Sequence, residues 1–276
     1  MIQPAELITL IFFLIIIVST IFVYRLVQSG SVSLFLFKDN LSSKRNYILA
    51  EKVRLAQVCF GYSYFLFHSL IIWGVLNTFL FFSFSFILSL VFEIIGVKTG
   101  YVFGKFMYIE DNCPGPIIIG VPFVIPIAWS GLLYMSINVS ILILGLDINN
   151  IAELKNLDVI IISSTLITLL DFVLDPLAVN EGRWKWLKPG KYYGVPMKNY
   201  FGWFFNSTII FLTFSLFISP FSITNNYTAY FNFSPSILFV LLPAIAARPC
   251  IERGLKFPGI FGLIFTLLLI VIIFIF

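Results

Sequence analysis

Two aspartates sit one helical turn apart inside an apolar run, in the stretch LLDFVLDPLAVNEGRWKW at 169–186. Asp171 and Asp175 are spaced i, i+4, which on a helix places both carboxyls on one face, about 6 Å apart along the axis. Like charges that close in a low-dielectric setting favour one carboxyl staying protonated while the other remains an acceptor. Such a pair can give and take a proton in one site. Glu93, in FEIIG, is a third carboxyl held within an apolar helix end. The plainer reading is that these acids pair with loop Lys and Arg at a membrane interface, where charges cost less than at mid-membrane. Against it, Asp147, Glu153 and Asp158 lie in ordinary polar loops, whereas the other three are embedded in hydrophobic sequence.

The elements that position these groups follow from composition. Of 276 residues, 60% are hydrophobic, 33 are Phe and 11% are charged, and the mean hydropathy is +1.03. A soluble domain of this size needs far more polar surface, so the chain reads as an integral membrane protein, an all-α polytopic helical bundle. A bilayer core requires about 20 apolar residues per helix. Runs at 5–24, 55–76, 79–95, 117–145, 157–177, 200–221, 235–248 and 257–276 meet that need, the seventh being short. The stretch 55–93 is too long for one span, and Asn77 offers a place to reverse. No basic residue precedes the first run and Tyr24-Arg25 follows it, so it reads as a span rather than a cleaved signal peptide. One integral membrane domain over 1–276 is expected, with its motif-bearing core at 93–203.

Basic residues test the span count independently. Arg25, Lys38, Lys44, Arg45, Lys52 and Arg54 follow the first run, and Lys98 and Lys105 the third. Arg183, Lys185, Lys188, Lys191 and Lys198 follow the fifth, and Arg248, Arg253 and Lys256 the seventh. Thus 16 of 17 Lys and Arg residues fall in alternate loops, with Lys155 alone on the other side. The positive-inside rule then puts both termini outside and the basic loops in the cytoplasm. Seven spans would break the alternation.

GVPFVIPIAW at 120–129 and GVPMKNYFGW at 194–203 share Gly-Val-Pro, six residues and Trp, and each opens an outgoing span behind an acid-ended one. Proline suits a helix start, so each GVP is expected to begin a helix. The shared topology suggests two parallel units, spans 3–4 and 5–6, about a pseudo-twofold axis along the membrane normal.

The loops between these spans are aromatic: Phe103, Phe106 and Tyr108 in one, Trp184, Trp186, Tyr192, Tyr193 and Tyr200 in the other. Membrane anchoring accounts for such residues by default; lining a site where an electron-poor carbon meets π faces is the functional alternative. His68 is the lone histidine, within the second span, and is expected to be satisfied by an intramembrane hydrogen bond rather than to hold a metal. Cys59, Cys113 and Cys250 have unrelated spacings and read as small apolar filler. There is no GxGxxG, HExxH, GxSxG or P-loop pattern, and no histidine cluster of the membrane di-iron type.

Four ordered segments, EIIGVKTGYVFGKFMY, GVPFVIPIAW, DFVLDPLAVNEGRWKW and YYGVPMKNYFGW, resemble the motifs of the carotenoid hydratase family of integral membrane proteins. The resemblance covers 93–203. It implies addition of water to the terminal carbon–carbon double bond of an acyclic carotenoid ψ-end, of the bisanhydrobacterioruberin or lycopene kind, to give a tertiary alcohol. Phe106 departs from the expected pattern, which has a hydroxylated aromatic there. Hydration needs an acid to protonate the less substituted carbon, tolerance of a tertiary cation and a base to activate water. Glu93, Asp171 and Asp175 are the candidates for acid and base, their division of labour open. Tyr108, Trp129, Trp184, Trp186, Tyr192, Tyr193, Asn199 and Trp203 are the candidates for contact with substrate. No metal or redox cofactor is required, because hydration is redox-neutral. The implied partners are a bilayer-dissolved carotenoid, the lipid itself and other enzymes of the same pigment route, with no nucleic acid.

Two other classes stay open at this stage. Asp171-xxx-Asp175 resembles one Mg²⁺–diphosphate motif of membrane prenyltransferases, although the second aspartate-rich cluster of that class is missing. A small-molecule or lipid transporter would suit the parallel repeat, although transporter sites lie near the midplane and these acids lie at one edge.

Overall fold

The computed structural model describes residues 4–29, 44–113, 115–221 and 227–275. Of the basic residues counted toward the first loop, Arg25, Lys38, Lys44 and Arg45 lie outside the residues whose side chains are described. The helices are α1 (Pro4–Ser29), α2 (Lys44–Thr99), α3 (Val124–Ile143), α4 (Leu157–Asn180), α5 (Met197–Phe217), α6 (Ala229–Asn232), α7 (Ser234–Glu252) and α8 (Lys256–Ile275). Short strands β1 (Phe106–Tyr108), β2 (Ile117–Ile118), β3 (Val121–Pro122) and β4 (Trp184–Trp186) occupy the connections. Among the described residues six helices are long and apolar enough to cross a membrane, and α1 adds a shorter apolar stretch, Glu6–Thr20.

The long run within α2 is two legs, as its length requires. Its helix breaks at Gly74 (φ 75, ψ 171), a conformation that costs glycine little because it has no Cβ. Tyr62 and Phe82 then meet ring to ring at 5.2 Å, which only a reversal permits. The break therefore falls three residues before Asn77, the expected turn. Asn77 holds the corner instead: its amide donates to Trp73 O and Ser219 O, each at 2.9 Å, and its oxygen accepts from Ser219 N.

Helix α3 is the hub, buried along most of its length and packed against α2, α4 and α7. Close approach is possible because its buried polar residues are small and bond back to their own helix: Ser130 to Pro126 O, Ser136 to Leu133 O and Ser140 to Ser136 O. Ser163 of α4 then donates to Ser140 at 2.8 Å, tying the two helices together. On the outward faces large apolar side chains such as Val75, Phe79, Leu216 and Leu267 are exposed, as lipid-facing positions would be. His68 is fully buried between Tyr134 OH (2.6 Å) and Phe231 O (2.9 Å). A carbonyl only accepts, so Nε2 carries the proton and Nδ1 accepts from Tyr134.

Both GVP segments are turns placed just before their helices. Ile119 and Gly120 have φ of 50 and 84, and Tyr193 and Gly194 have φ of 48 and 87. Two successive residues at positive φ make the hairpin turn of type I′. The first closes β2 on β3, and the second closes a pair of bridges, Gly190 to Gly194 and Tyr192 to Val195. Val121 and Val195 are fully buried behind these turns. Helices α3 and α5 start only after the proline, so the expected fourth span at 117–145 begins as a hairpin and becomes helix at Val124.

Corresponding parts of the two units meet face to face. β1 and β4 pair antiparallel, with Met107 opposite Lys185, which is how two like strands pair when a twofold axis passes between them. Gly104-Lys105-Phe106-Met107-Tyr108 and Gly182-Arg183-Trp184-Lys185-Trp186 align residue by residue: glycine at positive φ, base, aromatic, any residue, aromatic. The same separation in sequence that relates these strands also relates Glu93 to Asp171.

Candidate active site

At the strand-bearing end of the bundle, α2 to α5 and the β1–β4 ribbon enclose a cavity of about 180 Å³. It is lined by Glu93, Asp171 and Asp175 together with Tyr108, Trp129, Trp184, Trp186, Asn199 and Trp203. The ribbon brings aromatics from two distant loops over the acids: Phe106 packs on Trp186 with centroids 5.7 Å apart, and Tyr108 meets Trp184 edge-on at 5.8 Å. Below them Trp129 and Trp203, the tryptophans of the two GVP segments, stack at 3.9 Å and 26°.

Glu93 accepts one hydrogen bond on each oxygen, from the Trp129 indole N–H and from the Tyr108 hydroxyl, both at 2.8 Å. A carboxylate is acceptor-only and is satisfied by such a pair of donors. Burial, reinforced by the adjacent Glu93 charge, pushes the Tyr108 phenol well above its ordinary value. Tyr108 therefore keeps its proton as pH rises and remains a donor.

The aspartates are bound differently. The side-chain amide of Asn199 donates to Asp171 Oδ2 at 2.8 Å and to Asp175 Oδ2 at 2.5 Å. Trp184 is a further hydrogen-bonding neighbour of Asp175, and the two aspartates interact directly. Asp171 is fully buried, and its Oδ1 has no hydrogen-bond partner among the described residues. A buried oxygen without a partner is costly unless something else occupies the space beside it. Among the described residues no three His, Cys, Asp or Glu side chains converge closely enough to hold a metal ion.

Tyr192 and Tyr193 lie off the cavity. Pro176, inside α4, has no N–H, so the carbonyl of Phe172 four residues earlier loses its helical partner. The Tyr192 hydroxyl donates to that carbonyl at 2.9 Å. Tyr193 packs edge-on against Tyr192 at the surface, its hydroxyl receiving Phe257 N–H of α8.

An ion cluster at the cavity edge escaped the sequence reading. Arg54 lies 3.3 Å from the Glu181 carboxylate, and Arg183 donates to the same oxygen through Nε at 2.8 Å and also through Nη2. Both arginines line the cavity. Their signal was present: Glu181 is an acid inside a basic loop, beside Arg183.

Fold and site together define a polytopic helical membrane protein with a carboxylate-bearing, aromatic-walled cavity at one end of its bundle. The chain belongs to the carotenoid biosynthesis protein family, whose sequence model matches residues 53–269. Over 125 residues it is 38% identical to the bisanhydrobacterioruberin hydratase of Haloarcula japonica, covering 44% of this chain and 39% of that protein. The chain thus matches well under half of that relative's length. No solved structure matches.

Proposed function

We propose that the protein is a carotenoid hydratase, adding water to the terminal double bond of an acyclic ψ-end of the bisanhydrobacterioruberin or lycopene kind. The observation that carries the reading is the meeting of Glu93, Asp171 and Asp175 in one aromatic-walled cavity. Asp171, with Oδ1 unpartnered, is the acid: its proton passes to the less substituted alkene carbon, leaving a tertiary cation. The cation faces the π surfaces of Trp129, Trp184 and Trp203, which favour positive charge. A water held by the Glu93 or Asp175 carboxylate attacks the cation and loses a proton to that carboxylate, and proton exchange within the cluster restores Asp171. No net electron transfer occurs. A bilayer-dissolved polyene would bring its end group to this edge of the bundle, where water is at hand; the basic loops support a cytoplasmic position for this edge. The relative's name supports the reaction class.

The test is expression in cells that accumulate lycopene or bisanhydrobacterioruberin, with mass analysis of the pigments. Gain of one or more waters per molecule is expected. Unchanged pigment beside well-expressed protein would sink the proposal.

A further inference from the structure

Next to the acid cavity lies a second one, of about 220 Å³, enclosed by α1, the first leg of α2, α3 and α7. The two adjoin: Arg54, Val58, Ala128, Leu132, Leu174 and Arg183 line both. We propose that this second cavity is the binding tunnel for the apolar polyene chain of the substrate, with the reacting end in the acid cavity and the chain running on between α1 and α3. The inference rests on reading the site as one that takes a long isoprenoid.

Length, polarity and wall shape all favour such an occupant. On α2 the lining runs from Arg54 to Phe65, eleven residues or about 16 Å at the helical rise, so the space suits a rod rather than a compact ligand. Apart from Tyr62, its longer polar side chains are engaged elsewhere. Gln57 donates to Thr20, and Thr20 donates to Ile16 O at 2.7 Å. Arg54 and Arg183 are held on Glu181 at the joint between the cavities. What faces the interior is aliphatic and aromatic, which recognises a chain without polar groups. Of the two lining glycines, only Gly61 leaves its wall bare. A Cβ at Gly61 would meet only a Phe65 ring carbon at 4.0 Å, whereas one at Gly131 would meet the same ring at 3.0 Å. Gly61 is therefore the position at which a larger side chain would fill the tunnel without touching the acids.

The experiment uses protein purified in detergent from polyene-accumulating cells, with pigment retained per folded protein read by absorbance after size-exclusion. Hydration of the same pigments is read by mass. Wild type and an exposed control remote from both cavities, Lys155→Ala, should retain polyene equally. Gly61→Phe, and Leu242→Trp from the α7 wall, should retain at least tenfold less. Full retention by both bulky variants, or none by wild type, would overturn the tunnel. Retained but unhydrated pigment in wild type would leave the tunnel standing and remove the hydratase reading. Hydrated pigment with full retention in both bulky variants would do the reverse.

Discussion

In the first unit, Glu93 has a donor on each oxygen, Trp129 and Tyr108; in the second, Asp171 and Asp175 share one amide, that of Asn199, and Asp171 Oδ1 is left bare. The plan is common to both: acid-bearing helix, glycine-base-aromatic strand, hairpin turn, outgoing helix with its tryptophan. Two positions account for the difference. Where the second unit has Asp175 and Asn199, the first has Val97 and Ile125. The site thus has a carboxylate with a separate donor on each oxygen on one side and a pair of aspartates held by a shared amide on the other. That asymmetry suits a reaction in which one group accepts a proton while another gives one.

The largest expected effect comes from removing the proposed acid. Asp171→Asn should lower hydration by roughly 10² to 10⁴-fold, the usual contribution of a positioned proton donor, with protein levels unchanged. Next is Asn199→Ile, which gives the second unit the first unit's residue. It strips a donor from both aspartates, each such bond to a charged group being worth about 1.5–3 kcal/mol, so a loss of about tenfold or more in turnover is expected. Trp129→Phe keeps the ring over Trp203 but removes a donor from Glu93, at about 1–3 kcal/mol. Tyr108→Phe should cost a similar amount through the other oxygen, and equal activity of both variants with wild type would dissolve the contrast between the units. The smallest effect on chemistry is expected from Tyr192→Phe. It leaves the Phe172 carbonyl unpaired and should lower thermal stability by about 1 kcal/mol without changing turnover. Adding Pro176→Ala, which restores the missing N–H, should recover that stability; a double variant no better than the single would disprove the pairing.

Much of this arrangement was legible in the sequence because hydropathy and charge are local signals. The apolar runs located the helices, and the Trp129 and Trp203 spacing pointed to two units of like plan. What hydropathy cannot see is where an apolar chain bends. Gly74 rather than Asn77 breaks the second run because the corner needs a backbone conformation, and Asn77 then ties it down. Proline likewise suggested helix starts at the GVP segments, but the positive-φ residues before it make turns first. The β1–β4 ribbon was hidden for another reason: three-residue strands paired across a long sequence separation carry no periodicity of their own. Tyr192 and Tyr193 were grouped with the site by proximity in sequence, whereas a carbonyl freed by Pro176 claims one and α8 the other.

The most direct test of hydration at this cluster is growth of pigment-accumulating cells in heavy-oxygen water, with the wild type compared with Asp171→Asn, Asp175→Asn and Glu93→Gln at matched protein levels. The wild type should yield tertiary alcohol whose new oxygen carries the label, and the amide variants should yield little or none. Alcohol oxygen drawn from dioxygen instead of water, or full activity in all three amide variants, would contradict the account.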